Sequence, residues 1–195
     1  MKHASARLFV AVDPPVEVAD ELAAWARGLI RGQQAQRDGA LRVLAASSLH
    51  LTLCFLGERP LAQLQTLTQA LRDAATETSA CELALGAPVW LPPRRPRALA
   101  VEAHEPSGEL ERLARSLASA LQAGPAPGEQ ARRFRPHITL ARLRVGSRAV
   151  LDPQLPPTPA LSFLAEEAIL YRSWLEPQGA RYEPLARAPL GVVYR

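Results

Sequence analysis

Two stretches, His50-Leu51-Thr52-Leu53 and Arg135-Pro136-His137-Ile138-Thr139-Leu140-Ala141-Arg142, carry the same His-x-Thr pattern in opposite halves of the sequence. Both sit in apolar, β-prone surroundings, and in a strand residues two apart share a face. His50 and Thr52 therefore point together, as do His137 and Thr139, while Leu51, Leu53, Ile138 and Leu140 take the opposite face and can pack under a helix. One histidine beside a hydroxyl carries little information, but two of the chain's four histidines share this context. That repetition points to a single active site built from two halves. Imidazoles facing one another across a cleft, each titrating near about 6.5, can divide proton transfer, one neutral and accepting, the other charged and donating. The threonine hydroxyls are placed to hydrogen-bond nonbridging phosphoryl oxygens as charge develops there. Displacement at phosphorus of this kind requires no metal. Catalytic zinc usually takes three protein ligands, and neither motif has a second His, Cys or carboxylate at ligand spacing. A serine nucleophile fits less well still, because Ser47-Ser48 lacks the Gly-x-Ser-x-Gly setting.

The surrounding sequence supplies the elements. Residues 7–12 read as a short apolar strand, and Asp13-Pro14-Pro15 as a helix start with Asp13 as the capping side chain. Val18, Leu22, Trp25 and Leu29 recur at helical spacing up to about Gly32. After a polar loop at 32–39, residues 41–45 form a brief strand or an extended approach to His50, and Gly57 and Pro60 end the strand that carries it. Leu61, Leu64, Leu67 and Leu71 mark a second helix running to about Thr76. Strands over 81–90 and 98–103 flank Pro92-Pro93-Arg94-Arg95-Pro96-Arg97, read as a rigid solvated hairpin loop, with a phosphate clamp as the alternative. A third helix starts at Pro106-Ser107 and holds Leu110, Leu113, Leu117 and Leu121 on one face before Gly124. A loop at 124–128 leads to the strand 134–144 that bears His137, and a Pro-rich connection spans 146–159. Segments 161–163, 167–174 and 181–188 read as closing strands, the last two turning at Gln178-Gly179. Their Tyr171, Trp174 and Tyr182 read as core or sheet-surface aromatics. The order is α+β with pseudo-twofold character, each half covering its sheet with helices outside and leaving the inner faces for a cleft.

At 195 residues and 48% hydrophobic, the chain can bury a real core in one domain or two fused small lobes, which excludes disorder throughout. Its 23 Lys+Arg outnumber 19 Asp+Glu, for a net charge of +4 and a sequence pI near 9.7. This balance permits a phosphate-bearing partner without demanding one. Lys2 is the only lysine, so the basic residues are otherwise arginines, whose planar fork suits phosphate. Cys54 and Cys81 form no CxxC or CxxH spacing, which implies neither a disulfide framework nor a zinc cluster and fits a reducing cytoplasm. No run approaches the roughly 20 apolar residues of a membrane helix, and the amino terminus lacks the pattern of a signal peptide. The expected state is soluble, cytoplasmic and monomeric, with no heptad seam to demand a dimer.

Ser48-Leu49-His50-Leu51-Thr52-Leu53-Cys54-Phe55-Leu56-Gly57 and Phe134-Arg135-Pro136-His137-Ile138-Thr139-Leu140-Ala141-Arg142 resemble the two signatures of the 2H phosphoesterase superfamily. More narrowly the chain is similar to the RNA 2′,3′-cyclic phosphodiesterase (2′-5′ RNA ligase) family, whose members also open like Arg7-Leu8-Phe9-Val10-Ala11-Val12-Asp13. The likeness extends to Pro92-Pro93-Arg94-Arg95-Pro96-Arg97 and to Ala180-Arg181-Tyr182-Glu183, and so covers nearly the whole chain. It implies one domain over 1–195 made of two intertwined lobes, a His-x-Thr motif in each, with two antiparallel sheets facing a central cleft and helices outside. It implies no cofactor and no metal, and hydrolysis of RNA 2′,3′-cyclic phosphate ends to 2′-phosphate ends. In that scheme His50 is the proton donor to the departing 3′ oxygen and His137 the acceptor that activates water, a division that spacing alone cannot make. Thr52, Thr139 and Arg142 bind the substrate phosphate. Arg142 poses a geometric problem, because it stands five residues after His137. Strict alternation sends it to the opposite face, and a bulge or the strand end must turn it inward. Many relatives carry Lys or Ala where Cys54 stands. His3 and His104 match nothing in the family and read as surface residues.

Two other readings use the same residues. An RNA-binding module that keeps the cleft without turnover draws on the arginines at 94, 95, 97, 132, 133 and 135, although intact His and Thr in both motifs count against it. A catalytic alternative changes the substrate to reversible joining of 2′-5′ RNA ends or to a small cyclic-phosphate nucleotide. By microscopic reversibility it needs the same two histidines.

Overall fold

The computed structural model describes residues 4–31, 40–121, 134–144, 154–176 and 179–191. The expectations placed on 32–39, 124–128 and 146–153, and on His3, Arg132, Arg133 and Gln178, lie outside the described residues. The strands are β1 (Ser5–Val12), β2 (Leu41–Val43), β3 (Leu51–Pro60), β4 (Cys81–Leu91), β5 (Ala98–His104), β6 (His137–Leu143), β7 (Ser162–Ala165), β8 (Glu167–Glu176) and β9 (Gly179–Pro189). The helices are α1 (Val16–Arg31), α2 (Leu64–Thr76) and α3 (Glu109–Ala120). Among the described residues no helix is long and apolar enough to cross a membrane.

Helices α2 and α3 bury the leucines their spacing selects, Leu67 and Leu71 in one, Leu110, Leu113 and Leu117 in the other. Helix α1 is turned from its expected face. It buries Ala19, Leu22, Ala23, Ala26 and Ile30, and leaves Val18, Trp25 and Leu29 at the margin of the core. Small residues let the helix approach the sheet closely, so the bulky ones flank the contact. Asp13 is not the cap of this helix. Its first bond runs from the Ala19 N–H to the Pro15 carbonyl at 2.9 Å, which makes Pro15, two residues later, the residue at the helix start. That carboxylate accepts the Tyr171 hydroxyl instead. Strand β3 continues past Gly57 to Pro60, with Gly57 at φ +68° beside a break in the β1–β3 register. Between β4 and β5 the Arg97 N–H closes on the Leu91 carbonyl at 2.7 Å, and Arg94, Arg95 and Arg97 are exposed, which makes the arginine-rich turn a solvated hairpin.

The strands pair antiparallel in the order β7-β4-β5-β6-β3-β1-β8-β9, with β2 also on β6. The two motif strands, β6 and β3, are therefore innermost. Each ends a strand–helix–strand unit, β1-α1-β3 in one half and β5-α3-β6 in the other, which is the pseudo-twofold pattern. Among the described residues the two sheets expected from the repeat join at one strand pair, Leu51 with Ile138. Helices cross between the halves, α1 packing on β2 and β6 and α3 on β3. Leu51, Leu53, Ile138 and Leu140 meet Leu22, Leu110 and Leu113 in one core cluster on that side of the sheet. The opposite face carries a smaller buried cluster, Phe9, Ala11, Ile169 and Tyr171.

Candidate active site

The pairing of Leu51 with Ile138 fixes the site. Both are fully buried against the helices, so the residues that flank them in sequence project from the opposite face. In an antiparallel register, position 50 faces 139 and position 52 faces 137. His50, Thr52, His137 and Thr139 thus form one cluster at the seam, with the two histidines on its diagonal. All four are half-buried.

Arg142 reaches the same face by a bulge. On β6, Thr139 pairs with Ala100 but Ala141 pairs with Leu99, which leaves Leu140 without a partner on β5. Leu140 and Ala141 are consequently buried in succession. Arg142 then lies opposite Ala98, on the face that Ala98 shares with Ala100 and Glu102, the partners of Thr139 and His137. Strand β3 repeats the device. Thr52 pairs with Ala11 and Cys54 with Val10, so Leu53 is the extra residue, and Leu53 and Cys54 are both buried. Phe55, opposite Phe9 and 40% exposed, therefore occupies in one half the place of Arg142 in the other.

Both imidazoles are anchored alike. Nδ1 of His50 donates to the Ser48 carbonyl at 2.9 Å, and Nδ1 of His137 donates to the Arg135 carbonyl at 2.7 Å. A carbonyl only accepts, so each bond fixes the proton on Nδ1 and leaves Nε2 to exchange protons with a ligand. Their surroundings differ. His50 packs beside Phe9, with ring centroids 5.0 Å apart, and against the edge of Tyr182 at 4.9 Å, while Tyr171 stacks on the far part of Phe9 at 5.2 Å. Burial among these rings pushes the His50 pKa down to about 4; the Ser48 bond opposes this, and the charges of Arg142 and His137 add to it. His137 lies opposite Glu102, whose carboxylate also takes the Arg135 guanidinium, with Nε at 3.1 Å. Burial raises the Asp13 carboxyl above its ordinary range despite the Tyr171 hydroxyl.

The five residues expected at the site are thus on one face of the sheet, while His104, two residues beyond Glu102 at the end of β5, is exposed. Phe9, Tyr171 and Tyr182 were not expected beside His50. Tyr171 and Tyr182 do belong to an aromatic cluster with Phe9, but its role is to wall His50; Trp174 stands apart, under Arg172 at 3.6 Å. Cys54 is buried, as its place after the bulge requires, and burial holds its thiol up to about 12. Among the described residues no three His, Cys, Asp or Glu side chains converge as metal ligands.

Residues 14–173 match the family model of the 2′-5′ RNA ligase superfamily. The chain is 35% identical over 182 residues to the RNA 2′,3′-cyclic phosphodiesterase of Escherichia coli (strain K12), a match covering 93% of this chain and 94% of that protein. Among solved structures, TT0787 of Thermus thermophilus superposes with a TM-score of 0.78 at 28% identity, covering 96% of this chain and 100% of that one. Apo LigT of E. coli gives a TM-score of 0.76 at 29% identity, covering 96% and 98%.

Proposed function

The chain belongs to the 2′-5′ RNA ligase superfamily, and from that we propose that it hydrolyses RNA 2′,3′-cyclic phosphate ends to 2′-phosphate ends by acid–base catalysis from His50 and His137. The observation that carries this reading is the Leu51–Ile138 pair, which sets two His-x-Thr motifs face to face with both Nε2 atoms free to exchange protons. Nε2 of His137 takes a proton from water as its oxygen attacks phosphorus. The bond from phosphorus to O3′ breaks, and Nε2–H of His50 protonates the departing oxygen. The phosphate stays on O2′, and the two imidazoles end with their protonation states exchanged. Thr52 and Thr139 donate to the nonbridging oxygens, and Arg142 opposes the charge gathering there. The division between donor and acceptor follows the family resemblance.

His50 must be charged to play its part, and in the free protein its surroundings oppose that. A bound phosphate brings negative charge beside Arg142 and His50, offsets the repulsion and raises the affinity of the imidazole for a proton. Substrate thus arms its own acid. The two halves work as one domain, a monomer in the cytoplasm, and require no metal. The test is to incubate the purified protein with an oligonucleotide ending in a cyclic phosphate, in chelator, and identify the product. A 2′-phosphate is expected; a 3′-phosphate reverses the leaving group, and unchanged substrate overturns the reading.

A further inference from the structure

Arg42 joins the site unannounced by any motif. The β2–β6 register sets it directly opposite Arg142, and so on the same face. Like charges facing across a ladder repel, and none of the ion pairs among the described residues involves either arginine. A pair of this kind becomes favourable when an anion lies between or beside the two guanidiniums. The Arg42 side chain also has a definite destination. Its guanidinium rests on Gly179, at the start of β9, where an added Cβ would collide with Nη1. A recess of about 420 Å³ lies there, lined by Ser48, Gly179 and Tyr182 among others. Ser48 and Tyr182 hold and flank the His50 ring, and Gly179 carries the Arg42 guanidinium, so residues beside His50 and beside Arg42 border the same recess.

Resting on the hydrolase reading above, we propose that Arg42 binds the 5′-phosphate of the terminal nucleotide, the phosphodiester next to the reacting one, and makes the site selective for polynucleotide ends over free cyclic nucleosides. The reacting cyclic diester carries one negative charge, which Arg142 already opposes. Arg42 is the second cation, on the strand next to that of Arg142 and directly opposite it.

The experiment compares kcat/KM for a nucleoside 2′,3′-cyclic phosphate with a free 5′-hydroxyl and for a dinucleotide with the same cyclic end, in wild type, Arg42→Gln and Arg42→Lys. In Arg42→Gln the ratio of dinucleotide to mononucleoside kcat/KM is expected to fall about 10- to 100-fold, chiefly through KM. The salt slope for the dinucleotide is expected to drop by about one, and Arg42→Lys to recover part of the ratio. An unchanged ratio overturns the proposal, whether both activities fall together, as for a residue that merely holds the halves, or neither falls. Wild type inactive on both substrates overturns the hydrolase reading and this proposal with it; wild type active with an invariant ratio overturns only the role of Arg42.

Discussion

At the scale of single residues, the environments of the two histidines set expectations that differ. His50→Ala and His137→Ala are each expected to lower kcat by about 10²- to 10⁴-fold with the unfolding transition retained, and Thr52→Val or Thr139→Val by about 10²-fold. The imidazole of His50 is expected to titrate near 4 in the free protein and to move upward when inorganic phosphate is added, as read by NMR of labelled histidine. No movement contradicts the arming of His50 by its ligand. The same shift acts on stability. The folded value lies below the unfolded one, so between about 4 and about 6.5 the unfolded chain binds more protons, and stability falls as pH drops through that window. In His50→Gln the fall is expected to be shallower. The raised carboxyl of Asp13 works in the opposite sense, its contribution shrinking as pH rises through its folded value. The His and Thr pairs were legible because period-two alternation is a local property. Phe9 and Arg42 were not, since each reaches the site through pairing with a strand remote in sequence, nor was Tyr182, whose strand reaches it only because the neighbouring β8 pairs with the distant β1.

Among the elements, the seam between β3 and β6 invites the closest test because, among the described residues, these two strands pair at one position. Leu51→Ala and Ile138→Ala each remove a fully buried side chain and are expected to cost about 2–5 kcal/mol. A double-mutant cycle in urea is expected to show coupling of about 0.5–3 kcal/mol between them; simple additivity contradicts a shared seam. Sequence periodicity located the helices and most strands, and the distance from His137 to Arg142 already demanded an irregularity. The bulge at Leu140 is that irregularity. Its twin at Leu53 was hidden because Phe55, unlike an arginine, gives no chemical reason to ask which face it takes. The α1 stripe misled for a related reason: hydrophobicity favours Trp25 and Leu29, whereas close approach to the sheet favours Ala23 and Ala26.

For the whole molecule, the crossing of α1 and α3 between halves means that neither motif strand is supported by its own unit alone. The chemistry is accordingly cooperative. If His50 and His137 act on one phosphorus, the second substitution removes nothing that the first has left. The most direct measurement is therefore single-turnover hydrolysis of a cyclic-phosphate-ended oligonucleotide by His50→Ala, His137→Ala and the double variant. Each single variant is expected to lose about as much rate as the double. Losses that multiply, or a single variant that keeps the wild-type rate, contradict a shared centre.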